Sequence, residues 1–112
     1  MCGLVGIFSP KINNEINRQV TIMTSKLAHR GPDEEGVWCK GSIGLGHKRL
    51  SVLDLSNSGK QPMKINNSKE VITYNGEIYN FLDLRNELES LGQRFHTKND
   101  TEVLLASYNQ WG

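Results

Sequence analysis

The chain has 112 residues, 37% of them hydrophobic, and a formal net charge of +1 from 13 basic and 12 acidic side chains. That length suits one domain with a real core and argues against two. Interspersed, nearly balanced charge gives no footprint for nucleic acid or an anionic membrane surface, and no apolar run approaches the ~20 residues of a membrane span.

Cysteine usage narrows the setting further. Cys2 and Cys39 form neither a zinc spacing nor a disulfide framework, so both are expected reduced, in a cytoplasmic protein. The apolar opening is too short, and too poor in preceding basic residues, for a secretory signal.

The chain opens Met1-Cys2-Gly3-Leu4-Val5-Gly6-Ile7-Phe8. A cysteine after the initiator methionine becomes the first residue once that methionine is removed. It then carries a nucleophilic thiol and an α-amine that titrates near ~8, so nucleophile and base arrive on one residue. The competing reading is a small apolar residue opening a buried strand. The stretch from Cys2 to Phe8 reads as that strand. Its glycines suggest close backbone approach to a ligand or a neighbouring strand, and Ser9-Pro10 ends it.

Asn13 and Asn14 are candidate N-caps. Ile16, Val20, Met23 and Leu27 then recur at helical spacing, predicting an amphipathic helix to about Ala28 with Met23 in the core. His29-Arg30-Gly31-Pro32-Asp33-Glu34-Glu35-Gly36 reads as a loop whose specific order a plain surface turn does not require. Val37 to Lys40 and Ile43 to His47 read as strands of a hairpin around Gly41-Ser42, with Cys39 structural. Arg49 lies just before a half-buried strand signalled by Leu50 and Val52. Its guanidinium is either solvated, salt-bridged or a fork for a carboxylate.

Ser56 to Met63 is predicted as loop, with a weak hairpin across Asn66-Asn67-Ser68. Glu70 to Tyr74 reads as a strand running into Asn75-Gly76-Glu77. Asn-Gly there is either a turn or an oxyanion hole, because the Asn amide and the next backbone N–H can donate to one oxygen. Asn80 is placed to cap a helix through Phe81, Leu84, Leu88 and Leu91, which Gly92 stops. Arg94 to Thr97 reads as a short strand. Asn99 and Glu102 resemble a capping box for a last helix through Val103, Leu104 and Tyr108. Asp100 either complements the helix dipole or binds a ligand's ammonium.

The ordered set of these segments resembles the class II glutamine amidotransferases, among the N-terminal nucleophile hydrolases. The matching stretches are Met1 to Phe8, His29 to Asp33, Gly46 to Asp54, Tyr74 to Asn80 and Asn99 to Val103. Arg30-Gly31-Pro32-Asp33, the His47-to-Ser51 segment and Asn75-Gly76-Glu77-Ile78-Tyr79-Asn80 look like the glutaminase domain of glutamine-hydrolysing asparagine synthetase.

The resemblance implies an α+β fold, an α-β-β-α sandwich incomplete in this chain. Residues 1–112 would be the N-terminal part of the domain, the rest of it and the synthetase domain lying outside. It implies that Cys2 attacks the side-chain amide of L-glutamine to form a glutamyl thioester, with Asn75 and Gly76 stabilising the oxyanion. Arg49 would grip the α-carboxylate, Glu77 and Asp100 the α-ammonium, and Leu50, Ser51, Val52 and Leu53 would line the pocket. The ammonia would feed an ATP-dependent asparagine synthetase. This segment would need no metal or cofactor, ATP and Mg belonging to the synthetase domain, and the full-length enzyme could be a homodimer. The alternatives are the glutaminase half of an amidotransferase with another acceptor, and a non-catalytic glutamine-binding or partial domain.

Overall fold

The computed structural model describes residues 2–10, 14–29, 34–49, 59–65 and 68–112. Among them the chain is α+β. It contains β1 (Gly3–Phe8), α1 (Ile16–Ser25), β2 (Glu34–Lys40), β3 (Ile43–Arg49), β4 (Met63–Lys64), β5 (Val71–Ile72), α2 (Phe81–Ser90) and α3 (Asp100–Trp111). Strands β1, β3 and β2 form one antiparallel sheet in that order, and β4 with β5 forms a second. No described helix is long and apolar enough to cross a membrane.

The first sheet is centred on β3. The expected hairpin forms, with Gly41 at φ +57° in the turn, where a left-handed conformation suits glycine. Its strands are longer than predicted. Strand β2 begins at Glu34 and β3 runs on to Arg49, so Glu34 faces Arg49 and Glu35 faces Lys48. Opposite charges meet at both pairs, at 3.2 Å and 2.7 Å, and such cross-strand pairs favour continued pairing over a loop. The acidic cluster read as loop is thus partly strand. Its Arg30 to Asp33 portion, and the strand predicted from Leu50, lie outside the described residues.

Helix α1 lies on one face of this sheet, turned from its predicted orientation. Ile16, Val20 and Thr24 are buried, whereas Met23 is 45% exposed and is not core. The reason is glycine in β3. A Cβ on Gly44 would come within 2.8 Å of Ile16, and one on Gly46 within 1.9 Å of the Thr24 hydroxyl oxygen. These absent side chains let α1 sit directly on the strand. Close approach favours the small Thr24, whose hydroxyl donates to the Val20 carbonyl one turn back at 2.6 Å. Close approach is found at β3, whereas of the two β1 glycines Gly6 has Leu45 at ordinary contact distance and Gly3 lines a cavity with Cys2. Glu15, not Asn14, occupies the N-cap and makes no capping bond. Its carboxylate instead accepts from Arg18 at 3.0 Å. The helix ends at Ser25, three residues before the predicted stop.

The second half packs around Leu88, Val103 and Ala106, all fully buried, with Ile65, Phe81, Leu84 and Phe95 against them. Asn80 stands at the N-cap of α2 without a side-chain capping bond. Gly92, at φ +98°, ends the helix as predicted. The N–H groups of Gly92 and Gln93 donate to the carbonyls of Glu89 and Leu88, the double bond pattern of a Schellman stop. Leu91 lies past the last turn and is half exposed.

The β4–β5 hairpin forms, but only Met63–Ile72 and Lys64–Val71 pair. Met63 is strand rather than loop, and the predicted strand through Tyr74 stops pairing at Ile72. Residues 94–97 are not a strand. The N–H groups of His96 and Thr97 donate to the buried Glu102 carboxylate, each at 2.8 Å, leaving them no ladder to join. Glu102 therefore does not close a capping box onto Asn99. Asn99 does cap α3, its side-chain oxygen accepting the Thr101 N–H at 2.9 Å.

Candidate functional site

The register of the first sheet sets one side of the site. Gly3 pairs with Lys48, and Glu34 pairs with Arg49. One step beyond the first pair brings Cys2 level with Arg49. Three separate stretches, around residues 2, 34 and 49, therefore converge at one sheet end.

The other side comes from the second half. A cavity of about 140 Å³ has Cys2 and Arg49 in its wall together with Asn75, Gly76 and Asp100. Among the described residues, the lining also includes His47, Gly59, Gln61, Tyr74, Asn99 and Thr101. A second cavity, about 260 Å³, shares Cys2 and Asn75 and extends toward Leu27 and His29. These volumes lie below the ~300–1,000 Å³ usual for drug-sized ligands and suit a small metabolite. A larger apolar groove of about 450 Å³ lies between β5 and α3, lined by Val71, Ile72, Leu104, Leu105, Tyr108 and Glu70. Among the described residues that line it, Glu70 is the one charged side chain and there is no cysteine, serine or histidine.

Arg49 is held rather than free. Its Nη1 donates to Glu34 Oε2 at 3.2 Å, and both side chains are largely shielded. Nη2 lies over Gly59, where a Cβ would come within 2.6 Å of it and within 2.7 Å of the Asn99 amide nitrogen. Gly59 therefore leaves the space that the guanidinium and the Asn99 amide occupy. Asp100 begins α3 while its Oδ2 accepts the Ile78 N–H at 3.0 Å. Asp100 thus starts the helix, one of the two roles weighed for it, and lines the cavity from that position.

Asn75 and Gly76 are exposed at the cavity rim. The Tyr74 phenol folds back over Gly76, where a Cβ would meet its hydroxyl oxygen at 2.6 Å. Glu77 is exposed and does not line either cavity. Leu50, Ser51, Val52 and Leu53 lie outside the described residues. Cys39 is a free thiol on β2, and burial pushes its pKa up, which favours the protonated thiol.

Several lining residues were not singled out from the sequence. His47 is almost fully buried, and burial, the largest influence, pushes its pKa down. Arg49 adds to that fall, while Glu34 and the Tyr74 carbonyl oppose it. The imidazole is therefore neutral at neutral pH. Its Nε2 lies 3.2 Å from the Tyr74 carbonyl oxygen, and in that tautomer donates to it. Gln61 is also buried; its Nε2 donates to Thr101 Oγ1 at 3.3 Å and its Oε1 accepts the Tyr74 N–H at 2.5 Å. A glutamine within a loop carries no sequence signal for such a role. Glu34 is signalled only by its cross-strand pairing with Arg49, which depends on where the two strands end. Among the described residues, no group of three or more His, Cys, Asp or Glu side chains could hold a metal ion.

The family described as a glutamine amidotransferase domain matches residues 1–112. Asparagine synthetase [glutamine-hydrolyzing] 1 of Bacillus subtilis is 41% identical over 99% of this chain, which covers 18% of that protein. Putative asparagine synthetase [glutamine-hydrolyzing] 2 of Methanocaldococcus jannaschii is 41% identical, with 100% of this chain and 24% of the relative covered. Asparagine synthetase B [glutamine-hydrolyzing] of Escherichia coli is 37% identical, with 100% and 20% covered. The chain spans about a fifth of the length of these curated relatives.

Proposed function

Because the chain belongs to the glutamine amidotransferase domain family, we propose that its Cys2 cavity binds L-glutamine and hydrolyses it to glutamate and ammonia. The observation that carries this reading is the meeting of Cys2, Arg49, Asn75, Gly76 and Asp100 around one small cavity. Free glutamine is a zwitterion, so its pocket needs a cation and an anion close together. Arg49 and Asp100 supply them from opposite halves of the chain. Glu77 stands outside the cavity wall, and we assign the ammonium mainly to Asp100.

Once Met1 is removed, the Cys2 α-amine accepts the thiol proton, directly or through a water. The sulfur bonds to the side-chain amide carbon, and the carbonyl oxygen takes the electron pair. The Asn75 amide and the Gly76 N–H donate to that oxyanion; loss of one such donor typically costs about 10²–10³ in turnover. The C–N bond then breaks, and the proton held by the amine passes to the departing nitrogen, releasing ammonia. Water adds to the thioester and glutamate leaves, restoring the thiol. Leu50 to Leu53 follow Arg49 directly in sequence and are the proposed remaining wall. The pocket's choice of glutamine over glutamate falls to the surroundings of Cys2 and Asn75, since both ligands share the same α-groups.

The relatives' names support a wider proposal for the whole protein: the ammonia amidates aspartate in an ATP- and Mg-dependent synthetase portion. No cofactor is assigned to residues 1–112. The family also supports an α-β-β-α sandwich as the complete domain fold. The free thiols of Cys2 and Cys39 fit a reducing cytoplasm.

Intact mass after treatment with diazo-oxo-norleucine, a glutamine-like electrophile, tests this reading. One adduct on protein lacking Met1, absent from Cys2→Ala, is the expected result. Absence of an adduct on folded, Met1-free protein would overturn it.

A further inference from the structure

Tyr74 lies two residues past the last paired position of β5 and immediately before Asn75-Gly76. A main chain leaving a ladder must find other partners for its N–H and C=O where it is shielded from water. Here both partners are side chains. Gln61 Oε1 takes the Tyr74 N–H, and His47 Nε2 serves the Tyr74 carbonyl. Both side chains are buried, at 8% and 2% exposure.

Each is itself fixed. His47 sits on the central strand, flanked by the ladders to β1 and β2. Gln61 is tied through its Nε2 to Thr101, next to Asp100. The main-chain carbonyl of Gln61 lies directly over Gly36, where a Cβ would come within 1.9 Å of its oxygen. The Thr73 hydroxyl adds a longer contact to the Gly46 carbonyl at 3.4 Å. The peptide before the oxyanion turn is thus referenced to the strand that ends in Arg49 and to the helix that begins with Asp100.

We propose that His47 and Gln61 are positioning residues that clamp the Tyr74 main chain and so set where Asn75 and Gly76 stand relative to Cys2. The proposal rests on the reading of Asn75-Gly76 as the oxyanion hole. Neither side chain is asked to touch glutamine or to move a proton. Their action is geometric: donors held in place before charge develops are what make an oxyanion hole effective, and a shift of ~1 Å in such a site can cost about 10²-fold in rate.

The test uses the complete protein carrying this chain, with Gln61→Met, His47→Asn and His47→Gln. Methionine fills similar space without the amide. Asparagine is too short to reach the Tyr74 carbonyl, while glutamine places an N–H near the position of Nε2. Turnover is counted per site alkylated at Cys2, which removes any unfolded fraction. In Gln61→Met and His47→Asn, kcat for glutamine hydrolysis is expected to fall about 10²-fold with KM little changed, and His47→Gln to recover most of the loss. Unchanged kcat per alkylated site in the first two variants would overturn the clamp, as would equal loss in both His47 variants. Should Gln61→Met not fold, the His47 pair decides the point.

A second readout is independent of catalysis. Exchange of the Tyr74 amide hydrogen is expected to be slow in the parent protein and fast in Gln61→Met, and slow exchange in both would overturn the clamp. If the parent protein hydrolyses no glutamine, the glutaminase reading fails, and amide exchange alone then decides for or against the clamp.

Discussion

The two halves of the molecule deliver their site residues by different means. In the first, strands of six and seven residues pair along their whole length. Cys2 and Arg49 reach the cavity, with Glu34 bonded to Arg49 behind it, because a backbone register puts all three at one sheet end. In the second, β4 and β5 pair over two residues each. Asn75, Gly76 and Asp100 are placed instead by single side chains bonding main-chain groups: Gln61 and His47 on Tyr74, Asp100 on Ile78, Glu102 on residues 96 and 97. A register is shared among many hydrogen bonds and tolerates loss of any one. A side-chain tether concentrates the same duty in one residue. The first half should therefore be sensitive to crowding of its layers, and the second to deletion of individual polar groups.

Glu102 offers the sharpest contrast. In Glu102→Ala the N–H groups of His96 and Thr97 lose their acceptor beside the core, at about 1–3 kcal/mol for each group left unsatisfied. A stability loss of about 3 kcal/mol in urea unfolding is expected, with Glu102→Gln recovering part of it through its remaining oxygen. Loss of less than about 0.5 kcal/mol, the range of ordinary surface changes, would mean that this tether does not hold the segment.

Gly46→Ala probes the first half. The added methyl meets the Thr24 hydroxyl across a close-packed layer, and overpacking of this kind costs about 1–3 kcal/mol. The double variant Gly46→Ala, Thr24→Ser keeps the hydroxyl while removing only a methyl, so it should recover little, whereas Gly46→Ala, Thr24→Ala should recover more. Equal recovery by both would locate the crowding elsewhere.

The smallest effect is expected at Met23→Ala on the same helix. Its side chain is nearly half exposed, so the change in unfolding free energy should stay within about 0.5 kcal/mol. A loss of 2 kcal/mol or more, as ~2–5 kcal/mol is typical of truncating a core methionine, would restore the helix orientation that periodicity alone suggests.

That last case shows why some of the fold was legible and some was not. Helical spacing placed α1 correctly in the sequence, but spacing fits two adjacent stripes. Which stripe faces inward was decided by Gly44 and Gly46, some twenty residues away. Likewise the run Glu70 to Tyr74 has strong strand character, yet pairing stops at Ile72: Pro62, which has no N–H to donate, precedes β4, and the Tyr74 N–H goes to the Gln61 side chain. Arg94 to Thr97 looked extended, but Glu102 took the N–H groups a ladder would need.

What the sequence determined by itself is whatever depends on neighbours along the chain: the Gly41 turn, the Gly92 helix stop, the Asn99 cap, and the order of the stretches carrying Cys2, Arg49, Asn75 and Asp100. These follow from local backbone preferences and short-range hydrogen bonds. Only the tertiary structure decided that those four stretches enclose one cavity, that Gly59 makes room for Arg49, and that Gln61 and His47 hold Tyr74. Such relations join residues ten or more positions apart. They depend on which surfaces meet when the layers pack, and no local periodicity encodes that choice.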